Sequence, residues 1–193
     1  EIMQLFTVGL IERNLDFSPM LDNGQTIPTY NQNTVTNYAK VFTGFNYNNA
    51  TTISNGTNTY LRMPCIASEH DTTQKTVIGD TVIPAGQSCA TDVDDGVDLL
   101  FSHANIAPFI SRQLIQRFTS SSPSPAYIQR VAEKFVDNGW GERGDISAVV
   151  RQVLMDPEAR GAPGANSGKP REPLLKLTAM WRASGAGTLV FLS

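Results

Sequence analysis

Apolar residues spaced for a buried helix dominate the stretch from Phe101 to Thr119. They recur about every four positions, at Ile106, Phe109, Ile110, Leu114 and Phe118. Such spacing lines one stripe of an α-helix with apolar side chains, which is typical of a helix packed against a core. We therefore predict a central core helix here, with His103 close to its beginning.

Helical patterns flank this stretch on both sides. The predicted helices cover residues 1–8, 31–45, 92–102, 104–119, 125–138, 145–155 and 172–182. The clearest lies between Ser124-Pro125, a typical helix start, and Asn138-Gly139, a typical stop. In the last helix the predicted buried face contains Leu174, Leu177, Thr178 and Trp181. The predicted fold class is mainly α, a helical bundle.

One segment has a β pattern instead. Residues 75–78 and 81–83 are rich in Val, Ile and Thr, and they flank Gly79-Asp80, which suits a two-residue turn. We predict a small β-hairpin inserted into the bundle. The chain is then a single domain over residues 1–193, with helices and a polar loop in 1–59, the hairpin insert in 60–90 and the helical core in 91–183. Within the first part, residues 46–59 are almost wholly Asn, Thr, Ser and Gly and predict an exposed loop.

The composition indicates a globular protein and narrows its partners. Of the 193 residues 40% are hydrophobic, enough to fill a core, and no apolar run reaches the roughly 18 residues that span a bilayer. Lys and Arg number four in residues 1–103 and eleven in 104–193. They are dispersed rather than clustered, so no nucleic-acid partner is predicted. Both termini fall within helical or apolar patterns, so we expect a fragment of a larger protein.

Two cysteines, Cys65 and Cys89, bracket the predicted hairpin. A disulfide between them would suit an exported protein, because cytosolic thiols stay reduced. Two free buried thiols are the alternative, and a metal-binding or nucleophilic pair is a third interpretation.

The histidines are the candidate chemical groups. His70 and His103 are the two in the chain, and they lie 33 positions apart. With a carboxylate such as Asp71 they would supply three ligands for a divalent zinc or iron ion, or a catalytic base. His70, Asp71 and His103 are therefore the candidate catalytic and metal-binding residues. The alternative is that both imidazoles cap turns and bond backbone groups.

Two further features allow more than one interpretation. The acidic run from Asp92 to Asp98 fails the EF-hand spacing for calcium, so helix capping is the favoured role of its carboxylates and cation binding the alternative. Trp140 lies between two glycines. It is either an exposed platform for a sugar ring or a plug between helices.

Several separate segments carry a family resemblance. They read EIMQLFTVGL, HDTTQKTVIG, VIPAGQ, LLFSHANIAPFISRQLIQRFT and KPREPLLKLTAMWRA. In order and spacing they resemble the bacterial family known as domain of unknown function 1800, over nearly the whole chain. The resemblance implies a mainly helical protein, generally longer than this chain, often exported and encoded near a second exported family that resembles sulfatases.

The resemblance also bears on individual residues. His70 and His103 fall in the family's His-Asp and His-x-Asn motifs, and Arg112 and Arg117 fall in its Arg-rich helix. These two arginines are therefore candidate binding residues, in addition to Trp140. The two cysteines are not part of the family pattern, which favours a local disulfide.

The function expected from all this is that of an exported or envelope-associated bacterial protein of unestablished activity, a scaffold or a binding partner. The alternative is a metal-dependent hydrolase acting on a polysaccharide or an ester. The expected partners are a protein or a polysaccharide. No transmembrane segment is predicted.

Overall fold

The computed structural model describes residues 1–46, 62–162, 164, 168–170 and 172–185. A π-helix, Ile2–Thr7, comes first, followed by α1 (Gln32–Val41), α2 (Cys89–Ser102), α3 (Ile106–Phe118), α4 (Pro125–Val136), α5 (Ile146–Met155), α6 (Pro157–Arg160) and α7 (Pro173–Ala183). The prediction of a mainly α-helical fold is confirmed. None of the described helices is both long enough and apolar enough to cross a membrane.

Polar side chains fix the starts of most of these helices. The side chains that accept a first-turn N–H are those of Asn31, Ser88, Ser124, Asp145 and Asp156. Satisfying these otherwise unpaired donors stabilises a helix end. Asp156 does more, because the guanidinium of Arg130 in α4 donates to both of its oxygens at 2.8 Å. This residue therefore joins α4 to the junction between α5 and α6.

Two antiparallel strand pairs complete the fold. One joins β1 (Leu21–Asp22) to β2 (Gln25–Thr26), and the other joins β3 (Lys75–Thr76) to β4 (Val82–Ile83). The β3–β4 pair is the predicted hairpin. Gly79-Asp80 lies at its turn, as predicted: φ is 64° and 54° at these two residues, and the N–H of Thr81 donates to the carbonyl oxygen of Ile78 at 3.4 Å. The β1–β2 pair lies outside the sequence prediction and turns on Asn23-Gly24, where φ is 48° and 80°.

Two apolar clusters fill the interior. The first lies among α3, α4 and α5 and includes Ile115, Tyr127, Val131, Val149 and Val153. The second lies among the π-helix, α1, the β3–β4 hairpin and α2 and includes Met3, Val8, Val41, Val77 and Leu100. The hairpin is thus part of the packed body, and its residues can reach α2.

Two burial predictions are wrong. Phe118 is 54% exposed, because the buried stripe of α3 runs through Ala107, Ser111 and Ile115 instead. No residue of α7 is buried, although Leu174, Leu177, Thr178 and Trp181 form the face predicted to be covered. The predicted polar loop at 46–59 lies, apart from Asn46, outside the described residues. The division into residues 1–59, 60–90 and 91–183 stays a prediction.

Candidate functional site

A buried ionic cluster joins the β3–β4 hairpin to α2. Asp92 Oδ2 in the first turn of α2 lies 2.6 Å from Lys75 Nζ and 3.2 Å from His70 Nε2. All three side chains are shielded from solvent. Lys75 Nζ also donates to the carbonyl oxygens of Asp71 and Thr73 at 2.6 and 2.9 Å. The ammonium is therefore paired and hydrogen-bonded inside the protein, as a buried charge must be.

The other side of the His70 ring is held by Thr43, just after α1. His70 Nδ1 lies 3.1 Å from the carbonyl oxygen of Thr43 and 3.2 Å from its Oγ1. The Thr43 hydroxyl itself donates to the carbonyl oxygen of Lys40. Both ring nitrogens of His70 therefore face acceptor oxygens, and neither is open to a substrate.

A disulfide lies against this cluster. Cys65 and Cys89 are bonded, with their Cα atoms 6.2 Å apart, so the predicted disulfide is confirmed. Cys89 is the first residue of α2, three positions before Asp92. Gly44 packs between the two features, since a Cβ there would lie 3.1 Å from His70 Cβ and 3.2 Å from Cys89 Sγ. The end of α1 can approach this closely because position 44 has no side chain.

Asp71 turns away from His70. Its Oδ1 accepts the N–H and the hydroxyl of Thr73, at 2.8 and 2.5 Å, and its Oδ2 lies 3.9 Å from Lys40 Nζ. The hydrogen bonds from Thr73 hold the pKa of Asp71 below its ordinary value. This carboxylate therefore shapes the turn before β3.

His103 lies at the junction of α2 and α3, and its contacts differ from those of His70. Its Nδ1 accepts the backbone N–H of Asn105 at 3.1 Å, and its Nε2 lies 3.5 Å from Glu12 Oε1. In the neutral ring the proton is therefore on Nε2, facing the carboxylate. Burial lowers the pKa of His103, Glu12 raises it, and Arg143 lowers it further; the net shift is downward. His103 is thus a turn residue that pairs with the N-terminal segment.

Trp140 lies on the loop between α4 and α5. Its side chain is 92% exposed, so the indole does not plug a groove between helices. The surrounding loop is nonetheless closely bonded. Asp137 Oδ1 accepts the N–H groups of Gly139 and Gly141 at 2.7 and 3.0 Å, and Asn138 Oδ1 accepts that of Trp140 at 2.8 Å. The loop thus presents an uncovered indole on a fixed backbone.

Arg112 and Arg117 both line a pocket of about 460 Å³ between the π-helix and α3. The guanidinium of Arg112 lies over the ring of Phe17, with its Cζ 4.7 Å from the ring centroid. Arg117 Nη1 lies 3.0 Å from Glu172 Oε1, at the start of α7. The two predicted binding arginines are therefore brought to one pocket, and Trp140 is not among the residues that line it.

The sequence of this chain matches a family model over residues 1–192, and that family is described as protein of unknown function (DUF1800). The chain belongs to the DUF1800 family. No curated protein and no solved structure matches it. The description of the DUF1800 family assigns no activity, so the residues themselves must carry the functional argument.

In this DUF1800 chain the three candidate metal ligands have separate partners. His70 pairs with Asp92, Asp71 with Thr73 and Lys40, and His103 with Glu12. Within the described part of the chain, no three His, Cys, Asp or Glu side chains form a group that could hold one metal ion. The placement of these side chains therefore gives no support to a divalent metal shared by His70, Asp71 and His103.

The sequence favours helix capping for Asp92, but the side chain that caps α2 is Ser88, and Asp92 pairs with His70 and Lys75 instead. Asp92 has a signal, because its spacing from Cys89, Gly96 and Leu100 places it on the buried face of α2. Asn105 has none beyond its position after His103. Its Nδ2 donates to the carbonyl oxygens of Val8 and Ile11 at 2.9 and 2.8 Å, and its Oδ1 accepts the N–H of Arg13 at 2.9 Å.

Proposed function

We propose that this chain is a glycan-binding scaffold within an exported or envelope-associated bacterial protein, and that Trp140 is the platform on which a sugar ring packs. The exposure of Trp140, 92% on a hydrogen-bonded loop, is the observation that carries this proposal. A protein is the other expected partner of this chain, and the test below separates the two.

An exposed indole leaves apolar surface that a ligand can cover. A sugar ring stacked on one face covers about half of the roughly 150–250 Å² that a tryptophan can bury, which corresponds to about 2–3 kcal/mol before the entropy of association is subtracted. The fixed loop reduces that entropic cost, because little conformational freedom is left to lose. The flat face of the indole suits the C–H face of a sugar ring.

The charges around the indole favour an uncharged glycan. Asp137 and Glu142 flank Trp140 in the loop, and the N–H groups of Gly139 and Gly141 hold the pKa of Asp137 below its ordinary value. The nearby Arg143 directs its guanidinium to the carbonyl oxygens of Phe101 and His103. Lys134 also lies against this loop, with its Nζ 3.8 Å from where a Cβ on Gly139 would be. The charges near the indole therefore largely balance, and a neutral glycan needs no charged partner there.

Export is proposed on the disulfide. Cys65 and Cys89 are bonded, and such bonds persist mainly in oxidising compartments. The alternative function, a metal-dependent hydrolase acting on a polysaccharide or an ester, stays a prediction. It needs His70, Asp71 and His103 around one ion, and no observed distance favours that arrangement.

Affinity gel electrophoresis tests the binding function. Soluble neutral glycans, such as hydroxyethyl cellulose, glucomannan and glycol chitin, are cast into native gels and compared with polygalacturonate. We expect at least one neutral glycan to retard the protein, Trp140→Ala to abolish the retardation and Trp181→Ala, the matched control at the other tryptophan, to keep it. Equal mobility of the wild type and Trp140→Ala in every neutral gel would contradict the proposal and favour a protein partner.

A further inference from the structure

We propose that the pocket between the π-helix and α3 binds a carboxylate-bearing sugar of the uronic acid class. This goes beyond the proposed function, because the pocket and Trp140 are separate features. Its polar lining is supplied by Gln4, Arg112, Gln113, Gln116 and Arg117. No Asp or Glu is among the described residues that line it. Its volume of about 460 Å³ lies within the range of pockets that take small organic ligands.

Arg112 is held ready for an anion. Two guanidinium groups lie over the ring of Phe17, with Arg13 Cζ 3.9 Å and Arg112 Cζ 4.7 Å from its centroid. Arg13 is further fixed by donating to the carbonyl oxygen of Phe17 at 2.7 Å. Stacking restricts the plane of the Arg112 guanidinium while leaving N–H donors at its edge. In the described part of the chain no carboxylate forms an ion pair with Arg112.

The positive charge beside the pocket is incompletely balanced. Burial lowers the pKa of Arg13, and repulsion from Arg112 lowers it further. A guanidinium is destabilised in this way when like charges meet without an intervening anion. A bound carboxylate would relieve the repulsion between the two arginines.

Arg117, at the edge of the pocket, already binds a carboxylate group. Its Nη1 contacts a carboxylate of the chain itself, Glu172 Oε1, at 3.0 Å. Both side chains of this pair are largely exposed, at 72% and 64%, so the pair contributes little stability. A ligand carboxylate can therefore take the place of Glu172 at small cost.

The remaining lining suits a hydroxylated ring. Gln113 and Gln116 each use Nε2 to donate to a backbone carbonyl oxygen, of Leu5 and Ser121 respectively. Their amide oxygens accept no hydrogen bond from any described residue, and they can accept from sugar hydroxyls. Phe109 adds an apolar wall for the C–H face of the ring. Neutral amides beside two arginines thus match a sugar that carries one carboxylate.

Isothermal titration of the chain with D-glucuronate, D-glucose and inorganic sulfate tests this assignment. We expect glucuronate to bind about tenfold more tightly than either of the others, because both the carboxylate and the hydroxyls contribute. Arg112→Gln and Arg117→Gln should each weaken glucuronate binding about tenfold, since each removes a charge-assisted hydrogen bond. Arg151→Gln on α5 is the matched control, and Glu172→Gln should tighten binding by removing the competing carboxylate.

Three outcomes would overturn the proposal. Glucuronate could bind no better than glucose, which would mean that the carboxylate is not recognised. Sulfate could bind as tightly as glucuronate, which would mean that no sugar is recognised. Both arginine variants could bind like the wild type while keeping its circular dichroism spectrum. Trp140→Ala should leave glucuronate binding unchanged, so this proposal and the glycan platform fail separately.

Discussion

Lys75 Nζ lies 2.6 Å from Asp92 Oδ2, and both side chains are excluded from solvent. This contact joins the β3–β4 hairpin to the first turn of α2, beside the disulfide that closes the same segment. Replacing a buried ion pair with apolar residues is often harmless, whereas removing one partner leaves a buried charge unpaired. The ionic cluster therefore holds the hairpin against α2, and replacing one of its charged residues should destabilise the fold.

Asp92→Ala should lower the free energy of unfolding by about 3–5 kcal/mol, because it leaves the Lys75 ammonium buried without its carboxylate. Urea denaturation followed by circular dichroism measures this. Asp94→Ala, an exposed position on the same helix, is the control and should change stability by less than about 0.5 kcal/mol. An Asp92→Ala protein as stable as this control would show that the pair does not hold the hairpin.

Gly44→Ala tests how closely the end of α1 approaches the cluster. Gly44 and Gly86 have nearly the same φ, 84° and 85°, but of these two only the Cβ at Gly44 would meet neighbours within 4 Å. Both substitutions should cost about 1–2 kcal/mol for the left-handed backbone. Gly44→Ala should cost about 1–3 kcal/mol more for overpacking. Equal losses, measured by thermal unfolding, would contradict the packing.

His103 should make stability depend on pH. Its pKa is lowered in the fold by burial, despite Glu12, so the unfolded chain takes up the proton first as pH falls. The free energy of unfolding should therefore be fully retained above the ordinary pKa of 6.5 and decrease as pH falls below it. Urea midpoints at pH 7.5 and 5.5 measure the decrease, which should be smaller in His103→Gln. An identical decrease in the variant would assign the effect to other groups.

The disulfide should contribute about 3.5 kcal/mol, because Cys65 and Cys89 are 24 residues apart and the bond restricts the unfolded chain. The Cys65→Ser, Cys89→Ser double variant should lose that much stability in urea. Titration of thiols in the unfolded, unreduced wild type should find none. Two reactive thiols per chain would contradict both the bond and the proposal of an oxidising compartment.

Periodicity predicts most of the helices, because the apolar stripes of α3, α4 and α5 are set by local sequence. Periodicity wrongly assigns Phe118 to the buried face of α3, because burial also depends on which elements pack against the helix. The cysteine pair could be proposed from position alone. The partners of His70 could not, because Asp92 and Thr43 meet it only through tertiary packing across 22 and 27 positions of chain.

For the candidate binding residues, too, the sequence identifies the side chains but not their surroundings. The sequence leaves Trp140 either buried or exposed, and only the fold of the 137–142 loop decides between these alternatives. The spacing of Arg112 and Arg117 gives no indication of a pocket, because its other walls come from the π-helix and from Phe17. Distances along the chain thus limit what can be predicted about a site assembled from distant segments.

The most direct test of the central claim is the fluorescence of Trp140 itself. In a Trp181→Phe background, Trp140 is the one remaining tryptophan, so its emission reports the proposed platform without interference. We predict that titration with a neutral glycan that retards the protein in gels shifts this emission to shorter wavelengths and saturates. Retardation by a glycan with no change in the emission of Trp140 would contradict the account.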